Sequence, residues 1–530
     1  MIRTVCLVAT AIGMSMAATA ACADEAAKSE TPVLTLIGNR CGGCHDQGAD
    51  GRFARISAIR KTPEGWDQTL RRMRQWHYVF LNEADQRRLV KYLADTQGLA
   101  PEETAPFRAV IEQRPGTIEN ADDRDLAVYC ARCHSYARTG LQRRDASEWL
   151  KLVHTHVGQW PTLEYQASSR DREWWRVATT ELPDRLGQKF PFASAAWTAW
   201  QGRAPVNLAG NWRIAGHRPG KGDYAGTLTV EPTGPDQYAV QRRFVFADGS
   251  TLEGHGESVV YTGYEWRGAG TLGEQAVREV YQVSADGTQL SGRWFFDGAA
   301  IGGDAAAVRS GQPAILAVQP RFLKIAVETV VTIVGTGLDG PVDLGPGVTV
   351  GKVLNATSDS VSVVALADPQ AATGPHDITV GTTRHTGGLV VYDRPDQVRV
   401  EPGYNIARVG DNGGPVAAVP AQFEAVGYLN GPDGQPGTAD DVRIGVMPAV
   451  WSVTNYDADA KAAEDAVYGG RIDQTGLFVP AGAGPNPGRQ GGNNVANLTV
   501  QAVMTDGATS LPATAHLIVT LQRWNDSPIR

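Results

Sequence analysis

The sequence predicts a multidomain protein in which an all-α N-terminal region of two tandem halves is followed by all-β domains. These β domains are an antiparallel β-barrel and two immunoglobulin-like β-sandwiches. The chain has 530 residues, which is too many for one hydrophobic core. Apolar residues recur at helical spacing up to about residue 205, whereas short alternating runs separated by turn signals follow. The 60 glycines and 30 prolines also favour a turn-rich β architecture over much of the length.

An internal repeat divides the helical region into two halves, residues 24–112 and 113–205. The segments 62–70 and 145–152 each carry a helix-start signal, an acidic residue and an early tryptophan, Trp66 or Trp149. When the two tryptophans are aligned, Met73 and His156 lie at the same offset, two helical turns further on and on the same face. The repeat therefore predicts equivalent roles for Met73 and His156.

The β region is predicted to form three domains. Residues 206–310 contain alternating runs and Asp-Gly turns, which predict a closed antiparallel barrel or meander. Residues 311–394 contain runs such as 329–334, which predict an immunoglobulin-like sandwich, and residues 395–530 repeat that pattern. The Cys-Trp-Cys framework of antibody domains is missing, so only the sandwich architecture is predicted.

Two Cys-x-x-Cys-His motifs lie in the helical region, at residues 41–45 and 130–134. This spacing is typical of c-type haem attachment, in which two thiols add to the porphyrin vinyl groups and the adjacent histidine ligates the iron. The sequence therefore predicts a tandem cytochrome c region with two covalently bound c-type haems. The attachment residues are Cys41, Cys44, Cys130 and Cys133, and the first axial ligands are His45 and His134.

A six-coordinate haem needs a second axial ligand, usually methionine or histidine. In the first half the candidate second ligand is Met73, with His77 in reserve. In the second half there is no methionine between residues 141 and 205, so the candidate second ligand is His156, with His154 in reserve. A thioether ligand raises the reduction potential relative to a second imidazole. We therefore expect the Met73 haem to have the higher potential.

The first 23 residues have the features of a secretory signal peptide. Removal of this segment takes away Cys6 and Cys22 and leaves only the cysteines of the two motifs; lipidation of Cys22 is an alternative. Export to the periplasm suits c-type haem, which is attached outside the bacterial cytoplasm. No other segment is apolar enough to span a membrane, and the net charge of −8 argues against nucleic-acid binding.

Arginines are dense around both motifs, and some are expected to pair with haem propionates. They are Arg52, Arg55, Arg60, Arg71, Arg72, Arg74, Arg132, Arg138, Arg143 and Arg144. The Asp/Gly-rich segment 430–441 could hold calcium, but it lacks the terminal glutamate of an EF-hand, so a hairpin loop is favoured.

The order of two haem halves, a β-barrel and two sandwiches resembles the α (dihaem) subunit of quinohemoprotein amine dehydrogenase. The residues that carry the resemblance are the two haem motifs, the segment from Gly65-Trp66 to Arg72-Met73, and Gly210-Asn211-Trp212 at the start of the barrel. The resemblance implies a periplasmic αβγ heterotrimer that oxidises primary amines to aldehydes and ammonia. It places cysteine tryptophylquinone on a small γ subunit and makes the β subunit a propeller.

By this resemblance the chain is the electron-transfer subunit of an oxidoreductase acting on CH–NH₂ groups, with no catalytic residue of its own. A small soluble acceptor, such as a blue-copper protein or a cytochrome c, would take the electrons. Two other functions are compatible with the haem motifs. One is a stand-alone dihaem electron-transfer cytochrome or the haem subunit of another periplasmic dehydrogenase; the other is a dihaem peroxidase.

Overall fold

A computed structural model describes residues 32–114, 116–160, 162–299, 301–412, 416–507 and 509–521. The chain is mostly β, with 42% strand and 24% helix. The predicted signal peptide, residues 1–23, lies outside the described residues.

The N-terminal region consists mainly of helices that pack into two apolar cores, one in each half. Its α-helices are Val33–Cys41, Pro63–His77, Glu83–Thr96, Pro101–Thr104, Arg108–Ile111, Arg124–Cys130, Ala137–Gly140, Ala146–Gln159, Thr162–Ala167, Trp174–Thr180, Leu182–Lys189 and Ala195–Gln201, with 3₁₀ turns at Ile56–Ala58 and Ala105–Phe107. The first core gathers around Trp66 and the second around Trp149. Both tryptophans are buried, with 1% and 2% of their surface exposed.

The two tryptophan helices begin in the same way. Thr62 accepts a hydrogen bond from the Gly65 amide at 3.3 Å, and Asp145 accepts one from the Glu148 amide at 2.8 Å. Such N-caps satisfy amides that the first helical turn leaves without a partner.

The prediction of an all-α tandem cytochrome c region is wrong. Strand β1 (Ile59–Lys61) of the first half pairs antiparallel with β2 (Gln142–Arg144) of the second, and the central pair is Arg60 with Arg143. Each strand directly precedes the N-cap of a tryptophan helix. The corresponding segments of the two repeats are therefore paired with each other in this two-stranded sheet. Three residues are too few to show an alternating pattern, and the partner strand belongs to the other half, which is why the sequence did not reveal the pairing.

One carboxylate holds the central arginines of this sheet. Glu103 Oε2 and Oε1 accept hydrogen bonds from Arg60 Nη1 and Nη2, each at 2.9 Å, and Oε1 also accepts one from Arg143 Nε at 3.0 Å. The side chains of Arg60, Glu103 and Arg143 are only 2%, 7% and 6% exposed. Burial would raise the pKa of Glu103, but the hydrogen bond from Arg60 and the charges of Arg143 and Arg60 outweigh it and lower the pKa. We call these three residues the Glu103 hub.

Eight strands form the closed antiparallel barrel, which agrees with the predicted barrel. They are β3 (Gly210–Arg218), β4 (Gly222–Gly234), β5 (Gln237–Phe246), β6 (Thr251–Tyr261), β7 (Glu265–Leu272), β8 (Gln275–Val283), β9 (Gln289–Phe296) and β10 (Gly302–Arg309). Each strand pairs with the next, and β10 closes the barrel on β3. Aromatic side chains fill the interior, among them Trp212, Trp266 and Trp294, each at most 1% exposed.

The next unit has two four-stranded sheets, in the orders β11-β13-β16-β15 and β12-β18-β17-β14, with an aliphatic core. Its strands are β11 (Ala314–Gln319), β12 (Phe322–Lys324), β13 (Thr329–Thr336), β14 (Val342–Asp343), β15 (Val348–Thr357), β16 (Ser360–Ala367), β17 (Gly374–Val380) and β18 (Thr383–Tyr392). This arrangement agrees with the predicted β-sandwich.

The last unit has three sheets, β19-β22-β23, β20-β28-β27-β24 and β21-β26-β25, around a second large core. Its strands are β19 (Gln397–Glu401), β20 (Tyr404–Arg408), β21 (Ala421–Gln422), β22 (Glu424–Leu429), β23 (Val442–Val446), β24 (Ala449–Asn455), β25 (Gly470–Ile472), β26 (Leu477–Pro480), β27 (Ala496–Asp506) and β28 (Thr509–Thr520). Short helices Ala458–Ala462 and Asp465–Tyr468 and the 3₁₀ turn Pro487–Arg489 interrupt the strands.

The helical region docks onto the barrel next to the Glu103 hub. Thr104, which follows Glu103, forms a 3.0 Å hydrogen bond with the hydroxyl of Tyr264 in the barrel, and that hydroxyl also donates to the Leu99 carbonyl at 3.1 Å. Arg108 pairs with Glu265 at 2.9 Å. The short helix that carries Glu103 therefore contacts both halves of the helical region and the barrel.

We expect Glu103→Gln to destabilise the helical region by about 3 kcal/mol, because it leaves two buried arginines without a full counter-charge. The measurement is denaturant unfolding followed by circular dichroism in the far ultraviolet, where helices dominate the signal. Glu83→Gln is the matched control, since Glu83 forms an exposed helical ion pair with Arg87; such pairs contribute little. Equal stability of the two variants would contradict this role for the hub.

His217 gives the contact between the barrel and the last unit a pH dependence. Its Nδ1 lies 2.6 Å from Asp223 Oδ1 and its Nε2 lies 2.8 Å from Glu424 Oε1. Burial lowers the pKa of His217, but hydrogen bonds to the two carboxylates and their charges outweigh it and raise the pKa to about 10.

The stabilisation from protonated His217 should be complete below its unfolded pKa of about 6.5 and should disappear as the pH rises towards 10. We expect the difference in unfolding free energy between the wild type and His217→Gln to be largest at pH 6 and to vanish near pH 10. His255→Gln, on an exposed position of β6, is the control. A difference for His217→Gln that stays constant with pH would be inconsistent with the charged pair.

Candidate haem-binding sites

The first Cys-x-x-Cys-His motif begins at the last residue of the helix Val33–Cys41. The amides of Cys44 and His45 donate to the Cys41 carbonyl at 3.1 and 2.9 Å, which folds the motif into a tight turn. Cys41 is half-buried against the first core, whereas Cys44 is exposed. Burial, followed by the charge of Cys44, raises the pKa of the Cys41 thiol.

The second motif is built in the same way. The helix Arg124–Cys130 ends on Cys130, which is half-buried against the second core, and Cys133 is exposed. Burial raises the pKa of the Cys130 thiol to about 12. In each motif one thiol therefore faces the core and the other the surface. Among the described residues, none of these four cysteines forms a disulfide.

A backbone carbonyl orients each motif histidine. His45 Nδ1 lies 2.9 Å from the Ala54 carbonyl oxygen, and His134 Nδ1 lies 2.8 Å from that of Ser135. When Nδ1–H donates to a carbonyl, Nε2 is left as the nitrogen that can bind iron. Both histidines thus fit the role of an axial ligand.

In the second half, the two candidate histidines differ in burial. His156 is half-buried on the helix Ala146–Gln159, and its Nδ1 lies 2.7 Å from the Leu152 carbonyl oxygen. Burial lowers the pKa of His156 to about 4 although the hydrogen bond with Leu152 raises it, and the charge of His134 adds to the lowering. His154 is exposed and meets the ring of Trp175 edge-on, with centroids 5.1 Å apart.

In the first half, Met73 is half-buried on the helix Pro63–His77, two turns after the buried Trp66. His77 is exposed at the last residue of that helix, where its Nε2 lies 3.5 Å from Gln159 Nε2. Of the two candidates, Met73 is therefore the less exposed.

The ends of the two helices that carry the candidate ligands meet. Trp76, three residues after Met73, packs edge-on against Trp160, four residues after His156, with ring centroids 4.9 Å apart. The candidate ligand helices of the two halves are therefore in direct contact.

Many arginines near the motifs have acidic partners within the protein. Arg71 pairs with Asp67 at 2.6 Å, Arg132 pairs with Asp171, and Arg60 and Arg143 belong to the hub. These arginines therefore each have a carboxylate partner within the protein, and Arg60 and Arg143 share one. Arg72 and Arg144 differ, because Arg72 forms no ion pair among the described residues and Arg144 has only a 3.9 Å contact with Glu148.

Sequence reasoning missed three groups beside the sites: Glu103, Lys61 and the indole N–H of Trp149. The repeat contained a signal for one of them, because Lys61 and Arg144 both stand five residues before the repeated tryptophans. Each cation lies 5.7 Å from the ring centroid of its tryptophan.

Segment 430–441 forms the hairpin loop between β22 and β23. The carboxylate of Asp441 pairs with Arg399 and accepts hydrogen bonds from the amides of Gly437 and Thr438, at 2.8 and 3.0 Å. Over the described part of the chain, no cluster of three or more histidine, cysteine, aspartate or glutamate side chains could hold a metal ion. Nor does any described helix have the length and apolar character to cross a membrane.

Solved structures share only weak similarity with the chain. A redesigned β-barrel, mFAP1, bound to DFHBI is 16% identical and covers 19% of this chain and 94% of its own, with a TM-score of 0.18. A mouse clustered protocadherin fragment, PcdhgC3 EC1-3, is 13% identical and covers 46% and 86%, with a TM-score of 0.17. No curated protein matches the chain. These scores are too low to support an argument.

Family models, in contrast, match nearly the whole described chain. The model for the haem-binding part of the quinohemoprotein amine dehydrogenase A alpha subunit matches residues 33–197. Models for domains II, III and IV of the same subunit match residues 205–310, 312–393 and 398–529. The four models follow one another in order and confirm the resemblance. The chain therefore belongs to the family of quinohemoprotein amine dehydrogenase alpha subunits.

Proposed function

We propose that this chain is the electron-transfer subunit of an amine dehydrogenase complex in the periplasm. In this proposal, a quinone on a partner subunit oxidises a primary amine to an aldehyde and ammonia, and this chain passes the electrons to a soluble acceptor. Membership of the family supports a haem-binding oxidoreductase subunit that works with other subunits. The observation that carries the haem assignment is the build of the two Cys-x-x-Cys-His motifs: each begins at the last residue of a helix, and a backbone carbonyl oxygen lies within 2.9 Å of Nδ1 of each motif histidine, which leaves Nε2 for a metal.

Two covalent c-type haems are proposed. Cys41 and Cys44 would attach the first, with His45 and Met73 as its axial ligands. Cys130 and Cys133 would attach the second, with His134 and His156 as its ligands. A c-type haem supplies one-electron transfer at its iron, so two of them match the two electrons of one amine oxidation.

The chain's own groups hold these ligands in place. The Ala54 and Ser135 carbonyls fix the two motif histidines, and the Leu152 carbonyl fixes His156. Fixed tautomers and ring orientations leave Nε2 directed for metal binding. The half-buried Cys41 and Cys130 place one attachment point of each motif against an apolar core, which limits access of water.

We infer that the partners are a propeller subunit and a small subunit that carries cysteine tryptophylquinone. We further infer that the acceptor is a blue-copper protein or a cytochrome c. Amine oxidation yields an aldehyde, ammonia, two protons and two electrons from one amine and one water. No residue of this chain is assigned to the bond-breaking step. Its role is to bind the cofactors and to fix their positions.

Exchange of the proposed axial ligands should move the two reduction potentials in opposite directions. Because methionine raises the potential relative to histidine, Met73→His should lower the higher potential and His156→Met should raise the lower one. Each shift should be about 60 mV or more, a tenfold change in a one-electron equilibrium. An optical redox titration measures both. His154→Gln is the control and should leave both potentials unchanged; a shift with His154→Gln and none with His156→Met would reverse the assignment.

The function is tested by anaerobic mixing of the purified complex with a primary amine. We expect both haems to become reduced, with one ammonia released for every two electrons. The matched control is the same complex treated with a hydrazine, which blocks quinone carbonyls and should abolish the reduction. A chain that purifies alone and is not reduced by amines would instead be a stand-alone carrier. Rapid turnover of hydrogen peroxide would indicate a peroxidase.

A further inference from the structure

Three cations lie close together where the two haem halves meet. Lys61 is in β1, Arg144 is in β2, and Arg72 is on the helix Pro63–His77 beside Met73. Lys61 and Arg144 are 4% and 3% exposed, and Arg72 is half-buried. We call these three residues the cation cluster. Ile59 stands opposite Arg144 in the paired strands, so Lys61, two residues after Ile59, lies on the same face of the sheet as Arg144. Lys61 and Arg72 both donate hydrogen bonds to the hydroxyl of Thr69.

The cation cluster has few acceptors of its own. Lys61 Nζ and Arg72 Nη2 share the hydroxyl of Thr69, at 2.7 and 3.2 Å, and that hydroxyl donates to the Gly65 carbonyl. Among the described residues, no carboxylate is in ion-pair contact with Lys61 or Arg72. Buried charges are normally paired, because an unpaired charge loses its hydration without compensation.

Arg144 has only a distant and shared counter-charge. Its Nη1 lies 3.9 Å from Glu148 Oε2. The same carboxylate also pairs with Arg55 at 3.4 Å and with Lys151 at 2.6 Å. One acidic group therefore serves three cations, and the region keeps an excess of buried positive charge.

Two buried N–H donors beside the cluster have no partner among the described residues. They are Arg72 Nε and Trp149 Nε1. The Arg144 guanidinium carbon lies 5.7 Å from the Trp149 ring centroid, so this indole belongs to the same neighbourhood. A buried donor without an acceptor loses its hydration without compensation. The cluster thus lacks negative charge and hydrogen-bond acceptors at the same time, and a carboxylate supplies both.

We propose that the cation cluster and the Trp149 N–H bind the propionate carboxylates of the haems. The inference rests on the haem attachment proposed above. Its position supports it: Arg72 adjoins Met73, the candidate ligand of the first haem, and Arg144 lies 5.7 Å from the ring of Trp149, on the helix that also carries His156, the candidate ligand of the second. A carboxylate on a covalently attached group is also delivered to a buried site without a separate binding step.

This arrangement has a consequence for the reduction potentials. A propionate anion near the iron stabilises the more positive ferric form, and a paired cation offsets that effect. Removal of the cation should therefore favour the ferric form and lower the potential.

The test is Lys61→Met in the purified complex with its haems in place, measured by optical redox titration. We expect the potential of at least one haem to fall by about 59 mV, a tenfold change in the one-electron equilibrium. Arg87→Gln is the matched control, because it removes one positive charge from the same half at an exposed helical position. It should leave both potentials unchanged.

Unchanged potentials in Lys61→Met with full haem content would overturn the proposal. In that case Lys61→Met should also be more stable to unfolding than the wild type, because removal of a buried cation that has no bound anion relieves its repulsion with the other two cations. If Lys61→Met does not mature, Arg72→Gln is measured instead, with the same expected fall and the same contrary result. Failure of haem attachment itself would show as missing haem mass, which is distinct from attached haems with unchanged potentials.

Discussion

The contact of Glu103 with Arg60 and Arg143 is the constraint on which the helical region depends. One carboxylate receives hydrogen bonds from both arginines at 2.9–3.0 Å, and each arginine comes from a different half. Since all three groups are buried, none can regain its hydration without opening the interface. Thr104, the next residue, contacts the barrel through Tyr264. A four-residue helix thereby fixes the two halves relative to each other and to the β domains.

The paired strands at this hub also explain why the halves act as one unit. Arg60 and Arg143 at the centre of the strands share an acid, whereas Lys61 and Arg144 beside them have an excess of positive charge. The first pair stabilises the fold by itself. The second pair, Lys61 and Arg144, has an excess of positive charge that a bound anion would neutralise. In the proposed function, electron transfer through two haems needs a fixed spacing between them, and this buried interface would provide it.

The local features of the chain could be predicted from its sequence, but the contacts between distant segments could not. The Cys-x-x-Cys-His turns are local, and the tryptophan repeat singled out Met73 and His156 as candidate ligands because helical periodicity predicts which residues share a face. The barrel was predictable because each strand is long enough to alternate. The pairing of β1 with β2 was missed, and so was Glu103, a single acid on a short helix whose partners lie 43 and 40 residues away.

The central claim is that Cys41 and Cys44, and Cys130 and Cys133, each bind one haem covalently. Mass spectrometry of the purified, processed polypeptide tests it most directly, followed by mapping of the haem-bearing peptides. The expected result is an excess of two haem groups over the polypeptide mass, with one haem on the peptide of each motif. A polypeptide mass without any added haem would contradict the account.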